Sequence, residues 1–374
     1  MKVRARLTRV LRWALAVAAL GFVAWVVPVR DRCWDPRSPA TTRVAVTRSA
    51  AGCVLHLRSG EVEEPASECA QLTCEPGLAS TSAHADAAVL LGLLALYGLG
   101  YLAWAARWRS LLSFAGVDMS LGQVWRVSIE AQAGGVLLPG GIGGDALRIA
   151  AVVSRPTRAG EVRAPAAIVV ASVLLDRAIG LSVIAALAAV LGLGLGGLRD
   201  AALALVLAAI PVGVAAGLWI LRSAPLERVE WLRRGRLGSV VTPVLEYLKD
   251  PRAPRAIASA VALSVVVAAV QLGCIRGIVL ALGGAPTAEK WVYVGSAMSF
   301  IVAAVPALPG GWGTADASWV FFLGLAGLSA GTALGVSLVY RLFWYISAIL
   351  GAILHVTRAR SPAPPVAAVP PPPA

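Results

Sequence analysis

Leu138-Pro139-Gly140-Gly141-Ile142-Gly143-Gly144-Asp145 and Leu308-Pro309-Gly310-Gly311-Trp312-Gly313-Thr314-Ala315-Asp316 share the tetrapeptide Leu-Pro-Gly-Gly, each copy lying in a stretch apolar enough for a membrane. A helix should not break there. Proline removes a backbone donor and clashes with the preceding turn, and clustered glycines give up helical order, so each copy predicts interrupted backbone at membrane depth. Such backbone survives in a bilayer only where protein buries it or where it lines a wet cavity. Two breaks in corresponding halves of one chain point to a substrate site of the transporter kind.

The rest of the composition agrees. The chain has 374 residues, of which 58% are hydrophobic and 14% charged, whereas a soluble domain carries about a quarter charged residues. A polytopic membrane protein is the expected class. The net charge of +13 does not indicate nucleic acid, because the basic residues flank apolar runs instead of forming a stripe on a reader module. Lys2, Arg4, Arg6, Arg9 and Arg12 precede the first run, and Arg222, Arg228, Arg233, Arg234, Arg236, Lys249, Arg252 and Arg255 fill one polar loop. Basic flanks of this sort mark cytoplasmic faces and meet anionic headgroups.

Four of the five cysteines, Cys33, Cys53, Cys69 and Cys74, fall in the long polar segment 30–86. An even set in a short segment suggests two disulfides, in any of three pairings, and hence an extracytoplasmic location. Arg30, Arg32, Arg37, Arg43 and Arg48 argue for the other side, but longer segments translocate with less regard to charge. Zinc is not expected, since paired Cys-x-x-Cys knuckles are lacking and His56 and His84 stand alone. A small β element is expected around Val54–Leu57 with a turn at 58–61.

Six crossings are read from the apolar runs: 10–29, which reads as a signal peptide or, favoured by its length and the lack of a small-x-small cleavage site, an uncleaved anchor, then 87–106, 164–191, 201–221, 256–282 and 328–355. Segments 121–150 and 291–325 are apolar but broken by the two motifs. Arg107 and Arg109 precede the first broken segment and Arg155, Arg158 and Arg163 follow it, so both its ends read as cytoplasmic. Counting crossings puts both ends of the second outside. The expected fold is therefore an all-α integral membrane protein of about six transmembrane helices plus two oppositely inserted re-entrant helical hairpins, forming inverted repeats. The units are 1–29, cytoplasmic stretch and anchor; 30–86, the extracytoplasmic cysteine-bearing element; 87–221, repeat one; 222–255, a basic cytoplasmic loop; 256–357, repeat two; and 358–374, a disordered Pro-rich tail. Both termini are expected in the cytoplasm, in the cell membrane. The tryptophans at 25, 34, 104, 108, 291 and 344 read as an interfacial belt.

The residues resemble a known family, the membrane domain of lysylphosphatidylglycerol synthases and their stand-alone, flippase-like relatives, over about 87–356. The resemblance rests on Arg107-Trp108-Arg109, on the first motif with Arg148 behind it, on Leu175-Asp176-Arg177, and on the second Pro-Gly-Gly with Asp316 and then Arg341. The family usually has glutamate where this chain has Asp316. The resemblance implies a lipid translocase, and with no synthase domain read in the sequence the expectation is that this chain moves a lipid without modifying it.

The residues alone agree on mechanism class. Carrying a charged headgroup through about 30 Å of hydrocarbon is costly unless a polar cavity receives it. Candidate substrate-binding residues are Pro139, Gly140, Gly141, Gly143, Gly144, Asp145, Arg148, Asp176 and Arg177 in the first half, and Pro309, Gly310, Gly311, Gly313, Asp316 and Arg341 in the second. The glycines would turn backbone amides inward, and a helix restarting near Asp145 would aim its positive end at a phosphate. Arg126 and Glu130 are further ionisable groups in the apolar segments. Asp145 and Thr314 could instead be helix N-caps, and Arg177 or Arg341 could serve an inter-repeat salt bridge. Gly141–Ala146 half-matches a dinucleotide fingerprint, but no βαβ unit surrounds it. No cofactor or metal is expected. The expected partner is a membrane lipid with an anionic or phosphate-bearing headgroup, and an oligomer is compatible with all of this. The alternatives are an integral membrane enzyme acting on lipid-linked substrates and a non-transporting accessory protein.

Overall fold

The computed structural model describes residues 21–34, 44–49, 52–57, 60–69, 72–114, 117–137, 142–154, 166–193, 198–223, 242, 244–245, 248–303 and 311–360. Pro139, Gly140, Gly141, Pro309 and Gly310, most of the 10–29 run and the tail from 361 lie outside the described residues.

The polar segment forms a five-stranded antiparallel sheet of β1 (Asp31–Trp34), β2 (Val44–Ser49), β3 (Gly52–Leu57), β4 (Gly60–Pro65) and β5 (Thr73–Glu75), in the order β4-β3-β2-β1-β5. Disulfides join Cys33 to Cys74 across the β1–β5 pair, and Cys53 to Cys69. Cys33, Val46, Cys53 and Cys69 make up its small buried core. So small a core needs covalent help.

Two short helices, Ala66–Cys69 and Leu78–Ala83, lie in the polar segment, and beyond it run the longer helices α1 (Ala87–Phe114), α2 (Leu121–Leu137), α3 (Ile142–Val153), α4 (Ala166–Leu193), α5 (Leu198–Ser223), α6 (Ala253–Ala281), α7 (Glu289–Ala303), α8 (Thr314–Leu325) and α9 (Ala330–Arg360). Five of them, α1, α4, α5, α6 and α9, are long and apolar enough to cross a membrane. The local chemistry of their starts is conventional. Asp86 Oδ1 accepts from the amides of Ala88 and Val89 ahead of α1, and Ser329 Oγ accepts from Thr332 N ahead of α9. Ser120 and Gln123 exchange side-chain and backbone bonds in a capping box that starts α2.

α1 continues eight residues past the sequence expectation of 106, running through Arg107-Trp108-Arg109. Charge does not end it, because Arg107 is bonded to an acid inside the bundle.

Between α2 and α3, and between α7 and α8, the chain doubles back. A methyl on Gly134 would come within 2.9 Å of Gly143 O, and one on Gly144 within 3.1 Å of Ala131 O. In the second pair a methyl on Gly295 would lie 3.0 Å from Phe322 O. Both are thus antiparallel helical hairpins, and Gly143 and Gly144 act as packing residues within α3 instead of as an amide-lined loop.

The two hairpins open toward opposite ends of the bundle. The second opens beside the sheet, where Thr287 N donates to Ala326 O and Ser329 Oγ to Pro76 O. The first opens at the far end, where Arg126 near the start of α2 donates to Leu354 O near the end of α9. The packing exchanges between halves. α2 of the first hairpin lies along α9 of the second half, and α7 of the second hairpin lies along α4 of the first, while α1 packs along α6. Such crossed pairing is what a two-fold relation between the halves produces.

Candidate functional site

Asp176, on α4, has no exposed surface and stands between two arginines. Arg107 of α1 donates to its Oδ1 at 2.7 Å, and Arg148 of α3 to its Oδ2 at 3.2 and 3.3 Å. Trp104 Nε1 adds a bond of 3.3 Å. Arg148 is 1% exposed and held flat, its guanidinium 4.6 Å from the Trp104 ring centre and 3.9 Å from that of Trp108. Sequence reading placed both tryptophans in an interfacial belt. The structure sets them instead as the stacking partners of a buried cation, an assignment that spacing along one helix cannot reveal.

One turn toward the hairpin tip, Arg177 Nε and Nη2 clamp the carboxylate of Asp145 at 3.0 and 3.1 Å, and Arg148 reaches it at 3.5 Å. This bidentate pair is the accessible part of the cluster. Asp145 spends its oxygens on arginines, which corrects the N-cap alternative.

These groups line a cavity of about 350 Å³ between the two hairpins. The first hairpin contributes Ala131, Gln132, Gly135, Gly144, Asp145 and Arg148, and the second Phe300, Ala303 and Gly311. Long helices complete the wall with Tyr97, Tyr101, Trp104, Arg107, Asp176, Arg177, Gly180, Gln271, Tyr340 and Trp344. Gly180 leaves room for the guanidinium, since a methyl there would sit 2.9 Å from Arg107 Nη1.

The second half repeats the Asp–Arg arrangement without reaching the cavity. Arg341 of α9 donates to Asp316 Oδ1 of α8 at 2.6 Å, Ser337 adds a bond of 2.7 Å, and Asp316 Oδ2 accepts from Gly313 N at 3.0 Å. Both members are buried, and Trp312 stacks on the guanidinium at 4.1 Å. In each half, then, an acid early in the second hairpin arm meets an arginine of the following long helix. The inter-repeat bridge offered as an alternative for Arg177 or Arg341 is corrected accordingly, since the pairs Asp145–Arg177 and Asp316–Arg341 each close within one half. Thr314 is corrected too. Gly313 occupies the N-cap position, with φ of 79°, and Gly311 has φ of 69°, conformations open to glycine but not to threonine.

Of the sequence candidates, Gly144, Asp145, Arg148, Asp176, Arg177 and Gly311 come together at the cavity. Gly143 packs behind it, and Gly313, Asp316 and Arg341 form the separate buried pair. Arg126 and Glu130 lie elsewhere, bonded to each other at 2.8 Å midway along α2, with His355 at 3.5 Å from Glu130. Sequence reading missed Gln132, Gln271, Tyr97, Tyr101, Tyr340 and Trp344 as lining residues. The two glutamines carried a usable signal, being uncharged polar groups within apolar helices; the aromatics carried none.

A family model described as the lysylphosphatidylglycerol synthase TM region matches residues 77–351, and the chain belongs to that family. Comparison with curated proteins gives no match.

Proposed function

We propose that this member of the family is a lipid translocase, moving a phosphate-bearing or aminoacylated headgroup between leaflets through the cavity while the acyl chains stay in the hydrocarbon. One observation carries the reading: a charged, partly open cavity walled by both hairpins of a bundle whose long helices are otherwise apolar. A buried charge with no polar surroundings costs at least about 2.5–3.5 kcal/mol at mid-bilayer, so five charged side chains facing one cavity mark it as a place where a polar group is received. Arginine forks suit phosphate oxygens. Both cavity carboxylates are held by arginines, which supports carriage of a headgroup over reaction with one.

In this account the hairpins are re-entrant, one dipping in from each side. The disulfide-bonded sheet faces the extracytoplasmic side, and both termini face the cytoplasm of the cell membrane. The basic residues of 222–255 then sit where anionic headgroups are met from the cytoplasm. The partner is a membrane lipid.

Reconstitution tests the reading. Vesicles holding the purified full chain and a tail-labelled phospholipid should expose inner-leaflet label to a membrane-impermeant reductant, and protein-free vesicles should not. Folded protein that leaves the inner leaflet protected, for anionic, zwitterionic and aminoacylated lipids alike, would refute it.

A further inference from the structure

The cavity has two chemically different walls. One holds its only charged side chains among the described residues, Arg107, Arg148 and Arg177 with Asp145 and Asp176. Three guanidiniums against two carboxylates leave one positive charge uncompensated. Each carboxylate is bonded to two arginines, so neither is left over for an incoming cation. Arg148 Nε, moreover, is buried with no hydrogen-bond partner among the described residues.

The other wall is neutral and rich in hydroxyl and amide groups. Tyr97 and Tyr101 share a hydrogen bond of 3.3 Å, Tyr340 bonds with Gln271, and Gln132 Oε1 accepts from Trp344 Nε1 at 2.7 Å. The tyrosine rings pack edge to face, Tyr97 on Tyr101 at 5.3 Å and on Tyr340 at 5.4 Å. Their faces are therefore engaged with one another and not held apart as a cage for an ammonium group.

The geometry points to a cavity that selects a lipid of single net negative charge: a phosphodiester set on the arginine wall, with a neutral, hydroxyl-bearing distal group against the tyrosine and glutamine wall. A headgroup that also carries an ammonium would bring a like charge beside three guanidiniums with no carboxylate to receive it, and it is discriminated against for that reason. The distal hydroxyls would exchange bonds with the phenols and amides of this wall. This inference rests on the translocase reading and narrows its cargo.

The test uses the full chain in vesicles carrying one of three tail-labelled lipids: phosphatidylglycerol, phosphatidylethanolamine or lysyl-phosphatidylglycerol. Phosphatidylglycerol should cross roughly tenfold faster than either ammonium-bearing lipid, the scale one unfavourable charge contact commonly sets. Two variants should shift that ratio in opposite directions. Arg177→Gln removes the excess charge and should bring the three rates together, whereas Asp145→Asn adds to it and should widen the gap. A change of fold alone would not move the ratio both ways, and either variant suffices if the other fails to fold. Equal or faster movement of an ammonium-bearing lipid, or a ratio that neither variant shifts, overturns the selectivity while leaving translocation intact. Uptake of labelled glycerol 3-phosphate by the same vesicles would identify a free phosphate ester as cargo and overturn the lipid assignment. Movement of none of the three lipids would sink the translocase reading, and the selectivity with it.

Discussion

Replacing Asp176 by asparagine keeps the side chain's size and removes one charge from the centre of the arginine cluster. The carboxylate has no exposure and lies 2.7 Å from Arg107 and 3.2 Å from Arg148, which are themselves almost fully buried. The substitution strands two guanidiniums where water cannot reach them well, and breaking a buried pair by removing one partner costs about 3–5 kcal/mol. An unfolding entropy of about 2 cal/mol/K per residue turns that into a fall in Tm of about 5 °C for a chain of this length. The assay is thermal unfolding in one detergent of the wild type, Asp176→Asn, Arg107→Gln and the double variant. The double variant removes one charge of each sign and should recover part of the loss, giving a favourable coupling between the two sites. Asp145→Asn is the control: its pair with Arg177 is far more exposed, so the cost should stay below about 1 kcal/mol. Equal losses for Asp176→Asn and Asp145→Asn, or no coupling in the cycle, would refute the reasoning that the buried Asp176 charge is what compensates Arg107 and Arg148.

Other outcomes follow from packing and covalent structure. A methyl on Gly351 would run into the Ile129 carbonyl where α9 crosses α2, so Gly351→Ala should destabilise by about 1–3 kcal/mol or more; Gly98→Ala, which meets nothing within 4 Å, should be neutral in the same melt. Replacing both Cys53 and Cys69 by serine opens a loop of sequence separation 16 and should cost the sheet about 3 kcal/mol, read as faster limited proteolysis within 44–69. A thiol-reactive, membrane-impermeant label added to intact cells after reduction should reach Cys33 or Cys74, and protection of both until lysis would reverse the proposed orientation.

Much of the architecture is written in one-dimensional signals. Apolar length marks α1, α4, α5, α6 and α9, and proline with clustered glycine marks where α2 and α7 must stop, because both are properties of a local stretch of backbone. The cavity is a different kind of object. Asp176 and Arg177 are sequence neighbours that take different partners, Arg107 and Asp145, from helices 69 and 32 residues away. Ionisable side chains in apolar helices show that partners must exist; which partner is chosen depends on how the hairpins fold back. That fold-back is set by backbone approach at Gly134 and Gly144, not by any charge. The likeness of Asp145–Arg177 to Asp316–Arg341 also becomes plain only in three dimensions. The acids stand one residue out of step in the two motifs, and the intervals to their arginines differ as well.

The central claim is a route: the headgroup crosses through the cavity between the hairpins. Leu181 lines that cavity, whereas Leu174, on the same helix, is 49% exposed on the outside of the bundle. Transbilayer movement of tail-labelled phosphatidylglycerol should be measured for Leu181→Trp and Leu174→Trp in reconstituted vesicles, with folding matched by their melts. The account predicts that filling the cavity stops movement and that the outward tryptophan leaves the rate unchanged. Undiminished movement in Leu181→Trp would contradict it.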